Sequence, residues 1–509
     1  MYSAIAFKTK NKSTYFFDIN KNSLVLCHPI LFEIVRMGSR MAKSGEILSG
    51  PSWTDSLSQG EFGSVPRDIL AFYVEKYRLL QKNGYFREVD KSSKTYRISA
   101  YTVRDSLANT HQIVFEVTGR CNLCCEYCGY GDLYSQVDKK RSTRNLDTKS
   151  AMRLIDYVLK LVVSPYNHSA DKKLHISFYG GEPLLRIGFI KEVVDYVRSC
   201  MGHGISLTLG MTTNGTYLRK YSDYLVKNNF NLLVSLDGNE KNNSYRLFHN
   251  GKPSFQVVLQ NIKYLARTYP RYFEKRVSFN SVFNGRSTLS DVCEFFKSEF
   301  NMKPKIAEIN LHGILQSKRA IFEKMYKSVV DALTEEAEGE RYEEEMPSVF
   351  PRTNTAIRFV HRCNSAMFED YDDLLDPVDN RSSYITGTCL PFAKKIFLSA
   401  GRNILPCEKV SQEFVLGKVE DSGEVAIDFE SIAALYNGYY RKIEELCSNC
   451  YNLLCPQCLF RMNIQDERVG CQDFLALDGA AKRLASIVGY FEDRGPALYN
   501  KFIKEVWIE

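Results

Sequence analysis

The chain has 509 residues, 44% of them hydrophobic and 25% charged, with a formal net charge of +7. That length exceeds one ordinary core and implies several domains. The composition is that of a globular protein, and the small basic excess does not call for a nucleic-acid partner. Apolar runs such as 231–236 and 112–117 fall far short of the roughly 20 residues that cross a bilayer, so no membrane partner is expected. The opening MYSAIAFKTKNK places charge after its apolar residues, the wrong order for a secretory signal. A cytoplasmic location is expected. Fifteen cysteines in a reducing compartment point to metal binding, not disulfides.

Residues 1 to about 100 predict strands at 3–9, 14–18 and 23–26, a helix near 31–41, and a longer helix over 65–83 stopped by Gly84. In the longer helix Ile69, Phe72, Tyr73, Lys76, Tyr77 and Leu80 recur at helical spacing, so most of them are expected in the core. From His111 to Gly313, apolar runs at 113–117, 174–179, 206–211, 232–236, 277–283 and 306–311 alternate with amphipathic stretches. Such alternation means parallel strands joined by right-handed crossovers. The expected fold class is α/β, a partial (β/α)6 TIM-type barrel with its active site at the C-terminal strand ends. The expected division is a strand-and-helix module at 1–105, the barrel at 106–315, a helical connector at 316–385, a cysteine-rich segment at 386–480, and a C-terminal helical segment at 481–509, with the closing helix itself near 478–493. The acidic stretch 335–345 reads as a solvated helix face.

The strongest chemical signal is CNLCCEYC, directly after the first barrel strand. Thiolates at Cys121, Cys125 and Cys128 can hold three irons of a four-iron, four-sulfur cluster and leave the fourth without a protein ligand. That open iron can chelate the amino and carboxylate groups of S-adenosylmethionine, whose carbon–sulfur bond then breaks on electron transfer. A zinc site that also uses Cys124 is the bland alternative. The motif, with Tyr127 beside its last ligand, resembles that of the radical S-adenosylmethionine superfamily. The resemblance extends to Gly180, Gly181 and Glu182 in FYGGEPLL, to Asn214 in TTNG, and to Ser235 and Asp237 in SLDG. It implies that the Gly-Gly-Glu motif meets the cosubstrate's ammonium group, that Asn214, Ser235 and Asp237 contact its ribose and methionine parts, and that Arg246 is a candidate for its carboxylate. For Asn214 and Asp237, turn chemistry before glycine is the alternative.

The second cysteine zone reads Cys389, Gly401, Cys407, Cys447, Cys450, Cys455, Cys458 and Cys471. In order, though not in spacing, it resembles the SPASM extension of that superfamily, which carries two auxiliary four-iron clusters. The resemblance implies Cys389, Cys407 and Cys458 on the inner auxiliary cluster, with Cys363 as a possible fourth ligand, and Cys447, Cys450, Cys455 and Cys471 on the outer one. Three four-iron clusters and S-adenosylmethionine are the cofactors so implied. Two zinc ribbons are the alternative. Cys27, Cys124, Cys200 and Cys293 receive no role.

The first hundred residues are similar to the winged-helix-like, PqqD-like modules that bind leader peptides as an added strand. A DNA-binding winged helix is the alternative, although no basic stripe appears. The implied function is a maturase that forms a thioether or carbon-centred crosslink in a ribosomally made precursor peptide. An electron donor such as flavodoxin or ferredoxin is the second expected partner. An anaerobic sulfatase-maturating enzyme and an iron–sulfur sensor with a DNA-binding module are the rivals. No residue stands out as a catalytic acid or base.

Overall fold

The computed structural model describes residues 2–44, 52–60, 62–88, 97–134, 143–170, 172–202, 204–310, 314–336, 351–363, 390–410, 412–455, 458, 462, 464, 469–471 and 473–504. Contacts divide the chain into two units, each assembled from separated stretches, where the sequence suggested five consecutive segments. One unit takes Met1–Arg97, Arg352–Cys389 and Gly438–Glu509, and the other takes Ile98–Pro351 and Leu390–Asn437. Most of the expected connector, including 337–345 of the acidic stretch, lies outside the described residues.

In the first unit β1 (Ala4–Lys8), β2 (Thr14–Asp18) and β3 (Ser23–Leu26) form an antiparallel sheet in that order. Both faces are apolar, so helices cover both. Ala4, Phe16 and Val25 pack with residues of the helices Pro29–Ser44 and Arg67–Lys82. Ile5, Phe7 and Phe17 pack with Phe359, Leu484, Ile487 and Tyr490 from the helices Pro351–Cys363 and Leu477–Lys504. Asp18 is fully buried and ties the sheet to the chain beyond the long helix, accepting from Ser3 Oγ at 2.8 Å and Phe86 N at 2.8 Å.

The long helix is present, but its buried line is Leu70, Val74 and Tyr77. Ile69 and Phe72, expected inside, are 42% and 60% exposed. The helix is apolar around much of its circumference, so spacing alone did not identify which stripe meets the sheet. Gly84 ends it with φ +89°, a conformation that costs glycine little. The C-terminal helix breaks at Gly495 (φ 73°), followed by Pro496, which has no N–H to continue the ladder.

In the second unit β4 (Gln112–Thr118), β5 (Lys172–Gly180), β6 (Ile205–Thr213), β7 (Asn231–Ser235), β8 (Val277–Phe283) and β9 (Lys305–Glu308) lie side by side, each parallel to the next. These are the six expected strands. The sheet continues beyond β4 with four strands absent from the sequence reading. β10 (Ile396–Leu398) runs parallel to β4, and β11 (Asn403–Leu405), β12 (Gly417–Val419) and β13 (Val425–Ala426) follow antiparallel. Two- and three-residue strands carry no readable alternation. Part of the cysteine-rich segment is therefore an extension of the parallel sheet.

One face of the central strands is apolar, with Leu174, Ile176, Phe178 and Leu209 buried. The alternate positions carry Glu116, His175, Ser177, Tyr179 and Thr208, and the register pairs Glu116 with Tyr179 and His175 with Thr208. This polar lining leads to the C-terminal strand ends. Among the described residues no helix is long and apolar enough to cross a membrane.

Phe279 of β8 is fully buried, with rings of Phe273, Phe296 and Phe300 centred within 6.2 Å. Phe279→Ala should cost about 3–5 kcal/mol through lost burial and a cavity. A clear drop in melting temperature checks this, and an unchanged melt would show that the cluster does not support the parallel sheet.

Candidate functional site

The loop after β4 is fixed at both ends before it presents any thiol. Gly119 N donates to Arg144 O at 3.1 Å, and Thr118 Oγ1 donates to Asn145 Oδ1 at 2.7 Å. The cysteine stretch itself is braced by the segment after β7, with Cys124 N on Leu247 O at 2.6 Å, Glu126 N on Tyr245 O at 3.1 Å, and a bridge between Leu123 and Phe248. Cys128 N donates to Cys125 O at 3.1 Å and closes a turn. Leu123 N and Asn214 Nδ2 point at Cys121 Sγ from 3.4 and 3.6 Å, the donors a sulfur ligand takes from its surroundings.

Cys121, Cys125 and Cys128 are near enough for their charges to interact, and burial pushes the Cys125 thiol up to about 12, against the pull of Arg246. Among the described residues, no three Cys, His, Asp or Glu side chains converge on a single ion position. One zinc, with bonds of about 2.3 Å, requires its thiolates within about 4 Å of one another. A four-iron cube presents separate irons to separate thiolates. Three thiolates carried by one braced loop are a donor set that fits a four-iron cluster with one iron left without a protein ligand.

Gly180 and Gly181 are where the second strand end meets this loop. Gly181 N donates to Thr118 O at 2.8 Å and Glu182 N to Arg120 O at 2.9 Å. A Cβ at Gly180, whose φ is +126°, would lie 2.4 Å from Thr118 O, and one at Gly181 would lie 2.1 Å from Arg120 O. No side chain fits at either position. Glu182 is fully buried, accepting from Leu184 N (3.0 Å), Thr213 Oγ1 (2.9 Å) and Asn214 N (2.8 Å). Burial pushes its carboxyl up to about 7 while these donors pull it back. It thus joins the ends of β5 and β6.

Asn214 is held by Thr216, whose N and Oγ1 donate to Asn214 Oδ1 at 3.0 and 2.6 Å, and its Nδ2 also reaches Asn122 Oδ1 at 2.9 Å. Its side chain faces the cysteine loop. Ser235 is half-buried at the end of β7.

Asp237 and Arg246 have partners other than those the sequence suggested. Arg246 grips Asp237 with both prongs, Nη2 to Oδ1 at 2.7 Å and Nε to Oδ2 at 3.0 Å. Tyr127 Oη also donates to Asp237 Oδ2, and Val282 N donates to Oδ1 at 3.0 Å. Asp237 is fully buried and Arg246 nearly so. The Arg246 fork, expected to be available for a carboxylate of the cosubstrate, is thus engaged by Asp237 within the protein. The Arg246 guanidinium also lies 5.4 Å from the centre of the Tyr127 ring. All three side chains form one buried ionic cluster behind Cys125.

Sequence reasoning missed Glu116, Tyr130 and Tyr179. Glu116 Oε2 accepts from Ala400 N at 2.8 Å, and Tyr130 donates to the same side chain. Burial is the main cause pushing the Glu116 carboxyl and the Tyr179 phenol up. The available signal was the single acid inside the apolar run IVFEV. Asn122 and His249 were missed as well; His249 Nε2 meets Cys121 O at 2.9 Å.

Of the second cysteine zone, Cys447 and Cys450 bracket the end of the helix Phe429–Ser448, with Cys450 N on Cys447 O at 3.1 Å. Cys450 accepts from Leu475 N at 3.4 Å and is close enough to Cys471 for their charges to interact. Cys455 and Cys458 belong to the same unit, whereas Cys407 and Gly401 belong to the unit of the parallel sheet. Cys389 and the side chain of Cys363 lie outside the described residues.

Residues 115–297 match the Radical SAM superfamily, and that stretch is a radical SAM domain. The chain is 30% identical over 163 residues to the cysteine-type anaerobic sulfatase-maturating enzyme of Clostridium novyi (strain NT), across 31% of this chain and 41% of that protein. It is 26% identical over 204 residues to the radical SAM cyclopropyl synthase TigE of Paramaledivibacter caminithermalis, across 38% and 39% respectively. The chain therefore spans about two fifths of the length of each enzyme. A solved structure of native anSMEcpe with bound AdoMet superposes with a TM-score of 0.51 at 16% identity, over 78% of this chain and 100% of that one. This likeness is one of fold.

Two outcomes follow from the geometry. Gly181→Ala should leave a folded protein that fails to load iron on the first loop, whereas Gly188→Ala, with nothing within 4 Å of its Cβ position, should load normally; equal iron content would show that the close approach is dispensable. For Glu182, the unfolded chain releases its proton near 4.5 and the folded chain near 7, so the folded state binds more protons between these values. Stability should fall as pH rises through that window, with a smaller slope in Glu182→Gln, as read by urea unfolding.

Proposed function

We propose that the protein is a radical SAM maturase that modifies a ribosomally synthesised precursor peptide, forming a thioether or carbon-centred crosslink. The observation that carries this reading is the braced loop of Cys121, Cys125 and Cys128, with Asn214 directed at Cys121 and the Gly180–Gly181 backbone packed beneath. When bound there, a four-iron cluster and S-adenosylmethionine would supply a carbon radical able to remove hydrogen from a peptide. The chain's own part is to hold and orient. The three cysteines anchor the cluster, Glu182 fixes the strand ends around it, and the Asp237–Arg246–Tyr127 cluster sets the wall behind Cys125. Glu116 ties Tyr130 of the loop to Ala400, and so joins the loop to the strand extension that carries Cys407. Inner and outer auxiliary clusters on the second cysteine zone, and flavodoxin or ferredoxin as donor, complete the reading.

The front module supports a peptide substrate. Its edge strand β3 and its long helix expose Leu26, Ile69, Phe72 and Leu79, apolar side chains that a peptide could cover. A PqqD-like role for residues 1–105 is part of this proposal. The sulfatase-maturating reading is favoured by the match to the Clostridium novyi enzyme and differs in its substrate, a serine or cysteine of a sulfatase.

A small open reading frame beside the gene favours this reading and a sulfatase gene there favours the other; coexpression with such a precursor should yield a peptide lighter by two hydrogens per linkage in mass spectrometry, and an unchanged peptide together with an oxidised sulfatase would replace this reading by the other. Reconstituted protein should hold about twelve irons. Replacing Cys121, Cys125 and Cys128 by Ala should abolish 5′-deoxyadenosine formation, whereas replacing Cys447 and Cys450 should spare part of it and stop the peptide product.

A further inference from the structure

A cavity of about 600 Å3 opens on the face of the three-stranded sheet that the C-terminal helix covers, within the range of ligand pockets. Tyr15 of β2, Phe359, Phe491, Glu492 and Tyr499 are among the residues that line it. The helix contributes from both sides of its break, Phe491 and Glu492 before Gly495, and Tyr499 after it. An unbroken helix would carry its last turns straight on instead of around this space.

The aromatic walls are set in place by the fold itself. The rings of Phe491 and Tyr499 have centres 5.8 Å apart and planes at 82°, so they meet as two sides of a box. Tyr15 is backed by Phe7, stacked at 5.6 Å, and Phe359 by Phe17 at 5.8 Å. Both backing residues belong to the buried core of this unit. Ring faces are negative and ring edges positive, so a cavity walled by rings attracts a cation that comes within about 6 Å of their centres.

The charge at the rim has the matching sign. Among the described residues that line the cavity, Glu492 is the one charged side chain. Its carboxylate accepts from Tyr15 Oη at 2.9 Å and Asn11 Nδ2 at 3.2 Å. Burial pushes that carboxyl up, and side-chain donors, Tyr15 and Asn11 among them, more than offset the push and hold it below the usual carboxylate range. These neutral donors orient the group without cancelling its charge. The neighbouring Lys10 pairs with Asp493 at 2.5 Å, and no cation among the described residues forms an ion pair with Glu492. An anion would be repelled here, and a neutral guest of the same shape would gain burial alone.

We propose that this cavity is a binding site for a small organic cation, an alkylated ammonium with an apolar arm. The ammonium head sits among Tyr15, Phe491 and Tyr499 beside the Glu492 carboxylate, and the arm extends over Phe359, Val360 and Val488. The volume exceeds what an ammonium head alone fills, which is why the ligand carries an arm. Such a ligand lies inside the cavity and takes no main-chain bond from β3. Because the walls come from the sheet and from both sides of the helix break, a bound cation also fastens the helix end to the sheet and raises the melting temperature of the protein. None of this rests on the maturase reading.

The test titrates anaerobically prepared full-length protein with choline, with 3,3-dimethylbutanol, which has carbon in place of the ammonium nitrogen, and with benzyltrimethylammonium. Binding is read by saturation-transfer NMR, with thermal melts alongside. Choline should bind at least about tenfold tighter than 3,3-dimethylbutanol, and benzyltrimethylammonium tighter than choline. Tyr499→Leu keeps apolar bulk but removes a ring face, so it should weaken benzyltrimethylammonium about threefold or more, whereas Tyr499→Phe should not. Glu492→Gln should cut choline's advantage over its neutral counterpart by roughly fivefold or more. Leu26→Asp, on the outer strand edge and outside the cavity lining, should bind as the parent does. All four variants should melt normally without a probe and keep uncoupled cleavage of S-adenosylmethionine. The assignment falls if no probe binds, if choline and 3,3-dimethylbutanol bind alike, or if Tyr499→Leu and Glu492→Gln both bind as the parent does. It falls too if Leu26→Asp abolishes binding, which would move the site to the strand edge, or if cations bind only after residues 505–509 are removed, which would make the chain's own end the occupant. Should peptide be modified while no cation binds, the pocket is wrong and the maturase reading stands. Should cations bind as described although no peptide is ever modified, the pocket stands and the maturase reading falls.

Discussion

The approach of two strand-end backbones, Thr118–Cys121 against Gly180–Gly181, sets the geometry on which the candidate site depends. Two N–H···O bonds hold them, and the space left at the glycine α-carbons is smaller than a methyl group. Because the first thiol follows at once, the same contact that closes the β4–β5 interface also fixes where Cys121 stands. Glu182 then passes the restraint on to β6 through Thr213 and Asn214, and Asn214 returns it to Cys121. The circuit is closed and short-ranged, so the position of the cysteine loop follows from sheet geometry.

The far side of the loop is held differently. Burying an ion pair such as Asp237–Arg246 costs several kcal/mol per ion in desolvation, and it is tolerable only when the remaining lone pairs are satisfied. They are, since Tyr127 and Val282 complete the Asp237 carboxylate. A pair of hydrophobic residues could stabilise this wall as well or better. It would not place a fixed charge near Cys125, whose thiol Arg246 pulls down against the effect of burial.

The parts of this architecture that were legible in the sequence are those with long-range periodicity or unusual composition. Six parallel strands could be read because each spans enough residues to show its apolar run, and the cysteine loop because CNLCCEYC is improbable by chance. β10 to β13 are too short for pattern. Their position beside β4 is fixed by tertiary partners such as Glu116, which receives Ala400 N from 284 residues away. Arg246 could be read only as a candidate for the cosubstrate's carboxylate, because the engagement of its fork by Asp237 depends on a nine-residue return of the chain that carries no local signature. The exposure of Ile69 and Phe72 was hidden for the opposite reason. A helix with apolar residues on several sides gives several equally good stripes, and only the sheet decides among them.

The same reasoning changes how the front module should be regarded. Taken as a sequence, residues 1 to about 100 look like a separable cap. In the structure the sheet has two apolar faces, and its second face finds its cover more than 300 residues later, in the helices Pro351–Cys363 and Leu477–Lys504. Removing the first hundred residues would strip Ile5, Phe7 and Phe17 from Leu484, Ile487 and Tyr490, exposing a core in addition to removing a binding surface. Any loss on truncation would then mix unfolding with recognition. Point substitutions on exposed positions such as Leu24 and Phe72 leave both cores intact, so they separate what the module binds from what holds it together.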